Sequence, residues 1–163
     1  MEKALAFIQE KHAGQTRMGG VPYYTHPVAV ADILKSKGYT SAVYQLTALF
    51  HDLLEDTDAT EDEIRALSAP DAEAVIHAVR LLTKSKGYDM TDYMAGIAGN
   101  VVAKMVKLAD RLHNLQSALV APVTFRARYI KETEDFYIAL AKGTPFEDDI
   151  HTALTQVKNS LSA

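Results

Sequence analysis

Apolar positions recur along this chain at three- and four-residue intervals, the spacing of one face of an α-helix. Leu5, Ile8 and His12 open the pattern and predict a first helix that ends near Gly14. A loop from Gly14 to His26 follows, containing Gly19-Gly20 and Pro22. Pro27 stands where a first helical position would be and opens a helix with Val28, Ala31 and Ile33 inward, running towards Gly38. Thr40 is expected to cap a third helix, through Leu46, Leu49, Phe50 and Leu53 to about Asp56. Thr60-Glu61-Asp62-Glu63 has the form of a capping box, and the short helix it starts ends near Pro70. Residues 71–84 predict a helix with Val75, Val79 and Leu82 inward, and Asp89 to Ala98 a short one after Gly87. Val101 to Leu119 reads as a long buried helix carrying Met105, Leu108, Leu112 and Leu115. Pro122 restarts the chain into a helix with Tyr129, Phe136 and Leu140, stopped by Gly143. Thr144-Pro145-Phe146-Glu147 reads as a second capping box, ahead of a last amphipathic helix over about 145–162.

No stretch alternates with period two, and no repeat or low-complexity linker interrupts the helical spacing. The expectation is an all-α fold: a single domain over residues 1–163, built as a bundle of eight or nine helices. Composition narrows the class. With 48% hydrophobic and 23% charged residues the chain falls among soluble globular proteins. The lack of cysteine excludes disulfides, zinc-thiolate sites and thiol nucleophiles, and fits a reducing cytoplasm. No apolar run approaches the ~20 residues that cross a bilayer. Met1-Glu2-Lys3-Ala4 leads straight into the amphipathic pattern, unlike a signal peptide. The net charge of −4, with no basic block, makes DNA or RNA an unexpected partner. A small phosphorylated molecule needs only a few local Lys or Arg residues, and nothing in the pattern bears on oligomeric state.

Four stretches concentrate polar residues inside otherwise apolar surroundings: Thr25-His26-Pro27; His51 to Thr57 after the run Leu46–Phe50; Lys107 to Asn114 in the long helix; and Arg17 with its glycines. As neighbours on a helix, His51 and Asp52 would diverge by ~100°, yet both could reach a point between them. Glu55 follows His51 by four residues and Asp56 follows Asp52 by four, so three acids crowd one surface. A metal ion, a basic substrate clamp or open solvent could each relieve that repulsion. Singly, His51-Asp52 is a common dipeptide and Asp110 a mid-helix acid of the usual surface kind. Jointly, two His and two Asp form a mixed nitrogen and oxygen set suited to manganese, iron or a related divalent ion. Such an ion acidifies water near neutral pH, the nucleophile that a phosphoester hydrolase needs. Glu55 and Asp56 stand where they could orient that water and take its proton. Arg17 could stack on or pair with a nucleotide.

The order His26, His51-Asp52, Asp110 resembles the HD superfamily of metal-dependent phosphohydrolases. The flanking text is similar to the hydrolase domain of RelA/SpoT-type alarmone enzymes: His12 to Arg17, Val21 to Pro27, Phe50-His51-Asp52-Leu53-Leu54-Glu55-Asp56-Thr57 and Val106 to Leu115. The likeness spans most of residues 4 to 142. It implies that His26, His51, Asp52 and Asp110 ligate one divalent ion, manganese by preference, and that Glu55 and Asp56 position and activate the water. It further implies that Arg17 packs on the nucleobase, that Asn114 contacts the nucleotide, and that Lys84 and Ser117 contact phosphate. The implied reaction removes the 3′-pyrophosphate of (p)ppGpp to leave GDP or GTP. Its rivals are another nucleotide substrate, either an adenosine alarmone or a phosphorylated dinucleotide cofactor, or a non-catalytic nucleotide sensor. With the chain ending at Ala163 there is no room for a synthetase domain, so a stand-alone hydrolase is expected.

The chain departs from the family pattern at Met18, where many relatives have a basic residue, and over Gly87 to Met105. The remaining histidines read as structural or surface residues: His12 hydrogen-bonded, His77 and His151 exposed, His113 behind the ligands. Among the tyrosines, Tyr129 beside Arg126 and Arg128 stands out.

Overall fold

The structure, a computed structural model, describes residues 1–162. It divides into two compact units, Met1–Lys107 and the chain from Leu108 onward. All regular structure among the described residues is helical, as the spacing predicts, with one isolated antiparallel bridge between Thr16 and Pro22.

The first unit is assembled around α3 (Ala42–Phe50), a helix apolar on nearly every face. α1 (Glu2–Lys11), α2 (Thr25–Ser36) and α6 (Ala72–Leu82) all pack on it, while α5 (Glu61–Leu67) and α7 (Met90–Ala98) pack on α6. Ile8, Leu34, Phe50, Leu53, Ile64, Ile76 and Ile97 are fully buried between these helices. Each contributes roughly 1.5–3 kcal/mol relative to exposure. Buried Gln45 ties α2 to α3 by donating from Nε2 to the Ala31 and Tyr39 carbonyls, each at 3.0 Å. The capping box at Thr60 forms as read: Thr60 Oγ1 accepts from the Glu63 amide at 3.2 Å, and Glu63 Oε1 from the Thr60 amide at 3.0 Å.

Several expected boundaries and faces shift. On α1, Ala4 rather than Leu5 is buried beside Ile8, and Leu5 faces solvent. α2 starts at Thr25, so Pro27 lies within the first turn, and Val30, Ala31 and Leu34 turn inward while Val28 and Ile33 are half-buried. The third helix does not run on to Asp56. It stops at Phe50, and after His51-Asp52 a single turn, α4 (Leu53–Asp56), follows. α6 ends at Leu82 with Thr83 extended.

α8 (Val101–Ser117) contains the point of division and tightens at its end into a 3₁₀ turn, Ala118–Val120. In the second unit α9 (Val123–Glu132) continues through a π turn, Thr133–Tyr137, into α10 (Ile138–Ala141). Counting that rod once, nine helices longer than a single turn occur among the described residues. The π turn inserts one residue into the register. Tyr137 is therefore fully buried and Phe136 only half-buried, the reverse of the regular α spacing. α11 (Glu147–Leu161) packs on α9 and α10. Its expected capping box does not form: Glu147 Oε2 accepts from the Gly143 amide at 2.8 Å, and Thr144 Oγ1 from the Phe146 amide at 3.2 Å. None of the helices described is long and apolar enough to cross a membrane.

Candidate metal centre

The interruption after Phe50 shapes the site. His51 keeps helical angles, but Asp52 sits at φ −100°, ψ −5°, the bridge region that ends a regular helix. The two side chains converge instead of diverging by a helical step, and His51 Nε2 lies 3.1 Å from Asp52 Oδ2. From the first turn of α2, His26 brings its Nε2 to 3.9 Å from the same oxygen. The two imidazoles meet edge to face with centroids 5.4 Å apart. Both histidines are buried; Asp52 is half-buried.

Proton positions show how this arrangement could hold a cation. His51 Nδ1 donates to the Ala48 carbonyl at 2.6 Å, which leaves Nε2 as the ring atom that faces the site. Nε2 faces the Asp52 carboxylate at 3.1 Å, a contact that either a proton on the ring or a metal ion shared by the two groups satisfies. Tyr23 supplies one proton, its hydroxyl donating to Asp52 Oδ2 at 2.6 Å. The backbone carbonyl behind His51 and the phenol behind Asp52 orient both groups in the way that outer partners orient metal ligands. The donor set therefore suits a divalent ion.

The acidic pair sits one turn further on, on α4. Glu55 Oε1 accepts from the Lys84 amide at 2.7 Å, which holds the carboxylate beside the α6–α7 connection. Asp56 still reaches solvent, yet its carboxyl is raised to about 6. Loss of surrounding water is the main cause, followed by the Asp52 and Glu55 carboxylates, against the pull of His51 and Lys84. The Asp56 carbonyl accepts from Gln15 Nε2 at 3.0 Å, and Gln15 Oε1 in turn accepts from His12 Nδ1 at 2.8 Å. Buried His12 is thus a support for α4, the structural role read for it.

Arg17 enters through Tyr23, its guanidinium 5.9 Å from that ring centroid. It sits on a tight turn closed by the Arg17 amide to the Val21 carbonyl at 2.8 Å and the Gly20 amide to the Arg17 carbonyl at 3.0 Å. Gly19 and Gly20, at φ +87° and +80°, occupy the left-handed region that the turn requires. Lys84 Nζ lies 5.4 and 5.6 Å from the Tyr88 and Tyr93 ring centroids, and Lys107 Nζ lies 5.7 Å from that of Tyr93. The first unit thus gathers His26, His51, Asp52, Glu55, Asp56, Lys84 and Arg17.

In the second unit, Asp110 is buried on α8 and its Oδ1 accepts from Asn114 Nδ2 at 3.3 Å, one turn along. Ser117, half-buried, is the last residue of α8. His77 and His151 are exposed as expected. Tyr23, Gln15 and Lys107 lie within the motif stretches, where the sequence assigns them no role. The spacing Tyr23–His26 places a phenol one turn ahead of a candidate ligand, the signal that would have found the first.

An all-helical scaffold that buries imidazoles around a carboxylate at a helix break defines a class of metal-ligating helical domain. The chain belongs to the HD domain family, whose pattern matches residues 4–145 across both units. It is similar to the GTP pyrophosphokinase rsh of Brucella ovis, 35% identical over 159 residues, covering 91% of this chain and 21% of that protein. It is also similar to the bifunctional (p)ppGpp synthase/hydrolase SpoT of Escherichia coli K12, 34% identical over 149 residues, covering 86% of this chain and 21% of that protein. The chain thus spans about a fifth of the length of the curated relatives it matches. One solved structure, reported as a metazoan ortholog of SpoT that hydrolyzes ppGpp and plays a role in starvation responses, superposes with a TM-score of 0.79. That likeness carries 26% identity and covers 95% of this chain and 93% of the other.

Proposed function

We propose that this protein is a metal-dependent hydrolase that removes the 3′-pyrophosphate of (p)ppGpp, releasing GDP or GTP. The observation that carries this reading is the convergence of His26 and His51 on one Asp52 oxygen, at 3.9 and 3.1 Å, with Glu55 held one turn away by the Lys84 amide. Kinship with enzymes named for ppGpp hydrolysis supports the substrate. Both units are taken as parts of one HD-type domain, with the motifs in residues 4–142.

In this reading His26, His51, Asp52 and Asp110 hold one divalent ion, manganese by preference for a set of two nitrogens and two carboxylates. When bound, the ion supplies Lewis acidity, making water a nucleophile at neutral pH and offsetting charge on the phosphates. Glu55 and Asp56 orient the water and take its proton. The water oxygen bonds to the phosphorus next to the ribose, the bond from that phosphorus to O3′ breaks, and O3′ regains a proton as the 3′-hydroxyl. One water is consumed, and one pyrophosphate and one nucleotide are released. Arg17 packs on the base, Asn114 contacts the nucleotide, and Lys84 and Ser117 contact phosphate. The partner is a small nucleotide, in the cytoplasm where such nucleotides are made and consumed.

The test is turnover of the manganese-supplemented chain on a panel of ppGpp, an adenosine alarmone and a phosphorylated dinucleotide cofactor, read by product analysis. GDP and pyrophosphate from ppGpp are expected. Turnover of another member with ppGpp left intact would reassign the substrate. Binding of ppGpp with no turnover of any member would make the protein a sensor.

A further inference from the structure

Arg111, directly after Asp110 on α8, is buried with only 5% of its surface exposed. Its guanidinium carbon lies over two aromatic rings, 4.1 Å from the Tyr137 centroid and 4.7 Å from the Tyr129 centroid. Nη2 reaches Glu132 Oε2 at 3.4 Å, while Nε and Nη1 are buried with no hydrogen-bond partner among the described residues. A charge kept in the interior with two donors idle is a poor way to fill space, since an apolar side chain of the same volume does so at lower cost.

The surrounding helix is built to hold it. In a regular α-helix, Glu132 and Tyr137 are five residues apart and diverge by ~140°. The π turn over Thr133–Tyr137 closes five-residue hydrogen bonds and returns the two side chains to one face, with Tyr129 one turn before. A planar guanidinium in contact with two rings and a carboxylate has its direction fixed from three sides of its surroundings. Because Arg111 and Asp110 are adjacent on one helix, fixing the first sets the rotation of the second. Asn114 steadies the Asp110 carboxylate from the next turn.

We propose that Tyr129, Glu132 and Tyr137 form a cage that grips Arg111 and thereby aims Asp110, making Arg111 a positioning residue for metal capture. This inference rests on Asp110 being a ligand. It is tested on the full chain by calorimetric titration with Mn²⁺ and by thermal unfolding without metal, for Arg111→Met, Glu132→Gln and Asp110→Ala. Arg111→Met is expected to unfold at or above the native temperature without metal, yet to bind Mn²⁺ at least ~10-fold more weakly, the usual cost of losing a ligand's outer support. Glu132→Gln, which keeps the aromatic walls, is expected to weaken Mn²⁺ binding in the same direction by a smaller factor. Native Mn²⁺ affinity in Arg111→Met would overturn the cage; should that variant not fold, native affinity in Glu132→Gln would do so. Asp110→Ala separates the two ideas. If it binds Mn²⁺ like the native chain, the assignment of Asp110 is wrong; if it loses the metal while Arg111→Met keeps it, only the cage is.

Discussion

The two units treat charge in different ways. In the second, the Arg111 cation is matched on the spot by Glu132 and two tyrosine faces. In the first, Asp52, Glu55 and Asp56 gather at one helix end beside two imidazoles, and the Asp56 carboxyl is raised to about 6, by loss of water first and by its two neighbouring carboxylates second. A charge matched on the spot, where an apolar side chain would fill the space at lower cost, fixes an orientation. A cluster of acids only partly matched by Tyr23, His51 and the Lys84 amide is, in the proposed reading, where a cation and an anionic substrate would bind.

The largest break in that contrast comes from removing the metal or a ligand. Chelation, or Asp110→Ala, should abolish turnover, with manganese restoring the chelated enzyme best. Manganese at a hundred times its Kd should stabilise the native chain by about 2.7 kcal/mol. That corresponds to a rise of roughly 5–10 °C in unfolding temperature, read by calorimetry. Activity in a demonstrably metal-free preparation would end the proposed mechanism.

Next in size is Glu55→Gln. It should cut kcat by ~10²-fold with little change in KM, because the lost group acts on the attacking water and not on binding. Steady-state kinetics decides, and unchanged kcat would return Glu55 to a helix-end brace for the Lys84 amide.

Met18→Lys is smaller. Met18 is 44% exposed on the turn beside Arg17, and Lys11 is already committed to Asp58 at 3.0 Å and Glu63 at 3.5 Å. A lysine at 18 should tighten ppGpp by ~1–2 kcal/mol, about tenfold in KM, with kcat nearly unmoved. The gain should shrink as salt rises. An unchanged KM at low salt would show that this turn does not face phosphate.

Smallest is Asp56→Asn in the metal-free protein. Removing one of three mutually repelling carboxylates should raise stability by a few tenths to about 1 kcal/mol, a modest figure because solvent screens a side chain that still reaches water. Denaturant unfolding without metal measures it. A loss of stability instead would mean that Asp56 is a structural acceptor and that the contrast between the units is overdrawn.

Helical spacing, caps and breakers determined much of this protein from sequence alone. The all-α class, the capping box at Thr60 and the burial of the Val75, Val79 and Leu82 stripe follow from local rules of propensity and period, which act within a few residues. The polar text around His26, His51-Asp52 and Asp110 also stood out, because acids and imidazoles inside apolar runs are costly wherever the chain goes. Tertiary structure decided the rest. Whether His51 and Asp52 diverge on a continuous helix or converge at a break depends on the packing of α3 among α1, α2 and α6, which ends that helix at Phe50. The hydroxyl of Tyr23 on Asp52 joins residues 29 apart, beyond any local period. The π turn that buries Tyr137 in place of Phe136 trades regular hydrogen bonding for a grip on Arg111, and only the partner across the interface shows why a helix would give up its register.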